Sequence, residues 1–347
     1  MNEKRHIRQI ALPQVGMVGQ EKLKRARVLV VGAGGLGSAV LPYLASSGIG
    51  TIGIIDGDTI AFSNLHRQLL FSESEIGQSK AIVAAKKLSS QFPGIAINPY
   101  NAFLSGENAL DLFRDYDIVV DATDSIDIRY LINDACLVTE KPFIHAAIYR
   151  FQFQIAVFNV EGSGTYRCLY PKAPTSTQSC EEAGVMPSTV ALAGLYQANE
   201  VFKYVLQIGE LQINSLLMID TLSNSQNQFS FKKRNQEHIS RSFFEDNYTS
   251  IPHLALNETQ KDGFFLDVRG EEEYPPIELE SGKQIPVVIL ENQIEQIPKD
   301  KPVYIFCQSG IRSKQAYSIL KVFGLTDLYC LKENALDIIK IKQKITE

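Results

Sequence analysis

From residue 27 to residue 160, short apolar runs alternate with longer stretches whose apolar residues recur at helical spacing. RVLVV, TIGII and IVVDA read as buried strands, and the alternation predicts a largely parallel sheet with helices between its strands. Residues 232–249, KKRNQEHISRSFFEDNYT, are polar and weakly patterned and read as a connection. Beyond them FFLDV, IPVVIL and VYIFC predict short strands alternating with helical pieces, a second and smaller α/β unit. The chain is expected to divide into a first domain over 1–235, a linker over 236–250 and a second domain over 251–347. No internal repeat or low-complexity tract stands out.

Composition adds a few limits. The 347 residues are long for one domain, and a hydrophobic content of 45% supplies ordinary buried cores. A net charge of −5 argues against nucleic acid as a partner. No apolar run approaches a membrane span, so no membrane partner is expected. The opening MNEKRHIRQIALPQ lacks the apolar centre of a secretory signal, and the expected location is cytoplasmic. The cysteines, Cys136, Cys168, Cys180, Cys307 and Cys330, are odd in number and scattered, which argues against a disulfide framework.

The first strand runs into Gly32-Ala-Gly34-Gly35-Leu-Gly37, and a helix follows. Gly32 allows the tight turn, Gly34 or Gly35 lets backbone approach a phosphate, and Gly37 lets helix and strand pack closely. The helix N-terminus then offers free N–H groups and a favourable dipole to an anion. Asp56, 19 residues after Gly37, ends the next strand, where an acid usually meets ribose hydroxyls. The fold class expected is α/β, with a Rossmann-like nucleotide-binding domain first.

The charges that follow change what the nucleotide is for. Asp56, Asp58, Asn64 and Arg67 crowd into DGDTIAFSNLHRQLLF (56–71), and GQSKA (77–81) brings Lys80 to the start of a helix. IVVDATDSIDIR (118–129) is a further strand ending in Asp121 and Asp124, carboxylates suited to Mg²⁺. Hydride transfer has no need of Arg and Lys beside the phosphates. Attack on a triphosphate has, because charge builds on the phosphoryl oxygens. An NAD-dependent oxidoreductase and a non-catalytic carrier-binding or redox module remain alternatives at this point.

RQI, VGAGGLGS, DGDTIAFSNLHRQ, GQSKA, DATDS and CEEAGVMPS occur together in an order and spacing that resembles the MoeB/ThiF (HesA) adenylyltransferases, relatives of the ubiquitin-activating enzymes, over about residues 1–235. The resemblance implies ATP and Mg²⁺ as cofactors. It implies a small ubiquitin-like carrier protein ending in Gly-Gly, of MoaD or ThiS type, as partner. The carrier's C-terminal carboxylate attacks the α-phosphate to give an acyl-adenylate. The implied ATP-binding set is Gly35, Asp56, Asp58, Ser63, Asn64, Leu65, His66, Arg67, Lys80, Asp124 and Ser125. Arg67 and Lys80 are expected on phosphates and Asp124 on Mg²⁺. Arg8, in HIRQ, matches an arginine that crosses a homodimer to the partner's ATP. The attacking carboxylate is already an anion, so positioning and charge neutralisation carry the catalysis. YRCLYPKAPTSTQSCEEAGVMPS (166–188) resembles the family's crossover loop, and Cys180 matches a cysteine that in some relatives accepts the acyl group or attacks a persulfide. Many members hold a structural Zn²⁺ on two C-x-x-C pairs. Here Cys168 is followed by LYP and the later FSFKKRNQ has no cysteine, so no zinc is expected and packing must hold the domain end.

PVYIFCQSGIRSKQAYSILKVFG reads as strand, loop and helix. Backbone N–H groups between Cys307 and Arg312 can curl around the sulfur, with the helix N-terminus and Arg312 adding positive charge. All three stabilise a thiolate or persulfide anion. With FFLDVRGEEEY (264–274), this half resembles a rhodanese domain, whose cysteine carries a sulfane sulfur. Cys136 and Cys330 lie in apolar runs and are expected in the cores. Together the two resemblances imply activation of a Gly-Gly carrier followed by sulfur transfer from Cys307. The product is a thiocarboxylate for molybdopterin, thiamine or thiolated-tRNA synthesis, with thiosulfate or a cysteine desulfurase as the sulfur source.

Overall fold

The computed structural model describes residues 3–171, 184–234, 239–248, 251–260, 262–270, 272–273, 279, 281–308 and 310–338. They form two compact units, divided between Tyr248 and Thr249.

The first unit is built on one sheet. Its strands are β1 (Arg27–Val31), β2 (Thr51–Ile55), β3 (Ala96–Tyr100), β4 (Ile118–Asp121), β5 (Phe143–Tyr149), β6 (Gln152–Phe158), β7 (Ser215–Asp220) and β8 (Ser225–Ser230). The order is β3-β2-β1-β4-β5-β6-β7-β8. β1 to β5 pair in parallel; β6, β7 and β8 join antiparallel. The parallel half is mostly covered on both faces, which is why its strands read as unbroken apolar runs. Val28 and Val30 of β1 enter one core and Leu29 and Val31 the other. Helices Gly35–Ser46, Lys80–Gln91 and Pro187–Leu206 cover the first face, and Gly106–Arg114 and Ile126–Thr139 the second. Pro99 lies on β3, the parallel edge, where a missing N–H is tolerated. The strand order reverses between β1 and β4, so a crevice opens beyond their carboxyl ends.

Part of the polar stretch read as a linker is helical. Arg241–Tyr248 packs on the first unit, with Phe244 fully buried in the second core and the Tyr248 hydroxyl donating to Asp134 at 2.8 Å. Two aromatic residues four apart are too short a period to signal a helix in sequence.

The second unit is a parallel five-stranded sheet: β9 (His253–Leu254), β10 (Phe264–Asp267), β11 (Gly282–Gln284), β12 (Val303–Phe306) and β13 (Leu328–Leu331), in the order β11-β10-β12-β13-β9. IPVVIL, expected as a strand, instead opens a 3₁₀ segment, Val287–Gln296, which buries Leu290 and Ile294. An apolar run bounded by proline carries no period to separate the two outcomes. No helix among the described residues is long and apolar enough to cross a membrane.

Phe244→Ala should lower the unfolding free energy by about 3 kcal/mol. Urea unfolding of the full chain would read it, and a change below about 0.5 kcal/mol would mean that the segment is only a tether.

Candidate functional site

The crevice is a cleft of about 680 Å³, within the roughly 300–1,000 Å³ usual for small-molecule sites. Gly32 turns the chain at φ +101°, where a Cβ would stand 2.6 Å from the Ala122 carbonyl oxygen. At Gly37 a Cβ would stand 2.3 Å from the Gly32 oxygen, so only glycine lets helix Gly35–Ser46 begin there. Gly34 and Gly35 line the cleft at the helix start, and no side chain among the described residues caps it.

Asp56 pins this loop. Its carboxylate accepts the Ala33 N–H at 2.7 Å and the Asp58 N–H at 2.8 Å. Burial raises its pKa above the usual carboxylate value, against those two donors. Lys80, buried at the first turn of its helix, meets Asp58 at 3.0 Å, and Asp58 is open to solvent. Arg67 donates to the Ser63 carbonyl at 3.3 Å, which occupies one corner of its guanidinium. His66 Nδ1 lies 2.9 Å from the same carbonyl oxygen. Ser125 caps helix Ile126–Thr139 by accepting the Ile128 N–H at 3.4 Å.

Gly35, Asp56, Asp58, Ser63, Asn64, His66, Arg67, Lys80, Asp124 and Ser125 therefore line one cleft. Leu65 does not, because its side chain packs against the first core. Arg8 is exposed in helix Glu3–Ile10, outside the cleft of its own chain. Cys180 lies outside the described residues. Several cleft residues escaped the sequence reading, and three of them carry polar or aromatic side chains of note. Gln68 closes the motif that supplied Arg67, and its side-chain oxygen is buried without a partner among the described residues. Phe103 stands exposed just after β3, and Arg129 lies one turn into the helix that Ser125 caps. Only the apolar AFL after a strand hinted at Phe103.

Asp121 departs from the expectation of a metal-facing carboxylate. It is fully buried, 2.7 Å from His145 Nδ1 and 3.2 Å from Arg129 Nε. Asp124, by contrast, is exposed in the cleft with no ion pair among the described residues. No group of three or more His, Cys, Asp or Glu among those residues is placed to hold a metal. One free carboxylate fits Mg²⁺, which commonly arrives with phosphate and water ligands.

Cys168 is buried, and its sulfur accepts the Arg234 N–H at 3.4 Å. Despite burial, that N–H, Thr165 and Lys233 hold its pKa below the ordinary thiol value. Phe231 packs on Phe158 nearby, so one N–H···S bond and aromatic packing tie the described end of β8's strand to the unit. Cys136 is fully buried, and burial pushes its pKa up.

In the second unit Cys307 follows β12 directly, and its sulfur accepts the Gly310 N–H at 3.1 Å. Gly310, at φ +79°, caps helix Ile311–Val322. Arg312 is committed to Glu273 through two hydrogen bonds, one of 3.0 Å. The Glu273 carboxyl is pulled down to about 2 by that guanidinium. Positive character at the sulfur therefore comes first from backbone N–H and the helix terminus. Burial pushes the Cys330 thiol up to about 11, as befits a core cysteine.

The first unit thus holds a cleft built on a glycine loop, and the second a looped cysteine. The family model described as ThiF family matches residues 6–240, and the chain belongs to that family. The model described as rhodanese-like domain matches residues 252–334. The sulfur carrier protein adenylyltransferase of Thermus thermophilus is 46% identical over 64% of this chain and 84% of its own length. The probable adenylyltransferase/sulfurtransferase MoeZ of Mycobacterium tuberculosis is 33% identical over 93% of this chain and 89% of its own. A crystal structure of E. coli MccB with AMPCPP and MccA shares the fold, with a TM-score of 0.60 and 23% identity over 69% of this chain and 74% of that one. Adenylyltransferases use ATP, and these relatives bear the names of adenylyl- and sulfurtransferases, not of dehydrogenases.

Glu273 titrates near 2 in the folded chain against 4.5 unfolded, so the Arg312 pair stabilises fully above about pH 4.5 and fades as pH falls toward 2. The melting-temperature gap between the wild-type chain and Glu273→Gln should close over that window. A gap independent of pH would show that the pair contributes nothing.

Proposed function

We propose that this protein activates the C-terminal Gly-Gly carboxylate of a ubiquitin-like sulfur carrier with ATP and then converts it to a thiocarboxylate with sulfur held on Cys307. The observation that carries the reading is one cleft uniting a glycine loop, two cations and an exposed Asp124 that has no ion pair among the described residues. Gly34, Gly35 and the helix start receive phosphate through backbone N–H, and Asp56 holds that loop closed. Arg67 and Lys80 neutralise the phosphates; Lys80 exchanges part of its pairing with Asp58 for phosphate oxygen. Asp124 holds Mg²⁺, which when bound screens the charge that builds on the leaving pyrophosphate. A carboxylate oxygen of the carrier bonds to the α-phosphorus, and pyrophosphate leaves with the electrons of the broken P–O bond. No base is required, because the nucleophile is already ionised.

A Cys307 persulfide then attacks the acyl carbon and AMP leaves. Attack of a thiolate, from Cys180 or a small thiol, on the Cys307 sulfur of that acyl disulfide frees the thiocarboxylate. Placing both units on one chain raises the effective concentration of each at the other to the order of mM when the connection is short. Arg8 serves the neighbouring copy of a homodimer, and thiosulfate or a cysteine desulfurase supplies the sulfur. The exposed position of Arg8 outside its own cleft supports the first of these.

The test is the intact mass of a Gly-Gly carrier incubated with the protein, Mg-ATP and a sulfur donor. Replacement of one oxygen by sulfur is expected, with Cys307→Ala abolishing it while ATP–pyrophosphate exchange persists. An oxidoreductase or a mere scaffold would give neither exchange nor mass change with MoaD-, ThiS- or tRNA-thiolation-type carriers. Asp124→Ala should lower exchange at least about 100-fold. Mixing it with Arg8→Ala should restore part of the activity, because one cleft of the mixed dimer is complete. No recovery would count against an arginine acting across the dimer.

A further inference from the structure

The mechanism above makes no use of a buried ionic cluster directly behind Asp124. Asp121 and His145 are fully buried on neighbouring strands, paired in register across β4 and β5, and Arg129 is nearly buried. The Asp121 carboxylate receives the Thr123 N–H at 3.1 Å on one oxygen. The other oxygen receives Arg129 Nε at 3.2 Å and His145 Nδ1 at 2.7 Å. Arg129 Nη2 in turn donates to the Thr123 carbonyl at 2.8 Å. Both backbone polar groups of Thr123 are thus gripped, its N–H by Asp121 and its C=O by Arg129. The next residue is Asp124.

The hydrogen bonds run in one direction. The Tyr170 hydroxyl donates to Gln154 Oε1 at 3.1 Å, and Gln154 Nε2 lies 3.4 Å from His145 Nε2. His145 Nε2 is then the acceptor and Nδ1 carries the proton, the neutral tautomer that burial favours. A buried carboxylate needs several donors to repay its lost hydration. His145 supplies one, and that leaves Arg129 free to divide its guanidinium between Asp121 and Thr123. Without it, the low-energy rearrangement is a bidentate Arg129–Asp121 pair. Such a pair releases the Thr123 carbonyl and with it the turn that presents Asp124.

We propose that Asp121, Arg129 and His145 are positioning residues for the Mg-nucleotide, and that the His145 Nδ1–H donor keeps Arg129 shared between Asp121 and the Thr123 carbonyl so that Asp124 meets the metal. The inference rests on reading the cleft as the Mg-ATP site, and the experiment separates the two.

ATP binding to the full chain would be measured by calorimetry, with Mg²⁺ titrated and with Mg²⁺ chelated, for the wild type, His145→Asn and His145→Leu. Outer-shell partners of metal ligands commonly cost 10–100-fold when removed, so His145→Leu should raise the Mg²⁺ concentration for half-maximal effect about tenfold. Its affinity for metal-free ATP should be unchanged. In His145→Asn the side-chain amide can take the place of Nδ1–H, and the Mg²⁺ dependence should be restored. A fully Mg²⁺-responsive His145→Leu would overturn the proposal. So would a variant weakened equally with and without metal, which would show general damage. Should His145→Leu not fold, nitrogen NMR of the wild type decides: Mg²⁺ added to the ATP-loaded protein should shift the His145 ring resonances, and an unmoved signal refutes the coupling. A wild type that binds ATP identically with and without Mg²⁺ would instead bring down the reading of the cleft itself.

Discussion

Everything in the first unit depends on how closely the chain passes itself at Gly32 and Gly37. A methyl group on Gly37 would stand 2.3 Å from the Gly32 oxygen, well inside any tolerable contact. That approach seats helix Gly35–Ser46 against β1, points its unsatisfied N–H groups past the ends of β1 and β4, and makes the crevice. Asp56 then fixes the loop by accepting the Ala33 N–H, so backbone, not side chain, forms the glycine-loop side of the cleft.

Around that frame the charges sort by burial. Lys80 and Asp58 face one another at the cleft, and Asp124 stands exposed with no ion pair among the described residues. Asp121, three residues before it, is sealed among Arg129, His145 and Thr123. Two carboxylates from one short motif therefore take opposite tasks. One is left open to solvent, and the other is desolvated and fully bonded. Hydration cost and donor supply decide which is which.

The second unit solves a related problem with a softer atom. Sulfur is large and weakly solvated, and a single αL glycine turn brings the Gly310 N–H to within 3.1 Å of it. Arg312 is engaged by Glu273, so its charge is shared before any anion arrives. The Cys307 loop thus presents backbone dipoles, as the glycine loop of the first unit does, and both sit where a parallel strand gives way to a helix.

Local chemistry was legible from the residues alone. The glycine spacing, the strand-ending acids, SNLHRQ, GQSKA and CQSGIRS place the cleft and the cysteine loop, because such motifs work through neighbours in sequence. Lys80 at a helix start belongs to the same class, whereas the capping role of Ser125 emerged only from the structure. What the sequence could not disclose depends on distant partners. The helix Arg241–Tyr248 exists because Phe244 finds a core made elsewhere. IPVVIL leads into a 3₁₀ segment whose Leu290 joins Ile285 in a core completed by residues distant in sequence. Asp121 lost its apparent metal-facing role because β5 delivers His145 beside it, and the pairing of strands sets that meeting. Sequence determined which groups could do chemistry; only the tertiary structure decided which are solvated and which are spent holding others, since desolvation is a property of the surroundings and not of the residue.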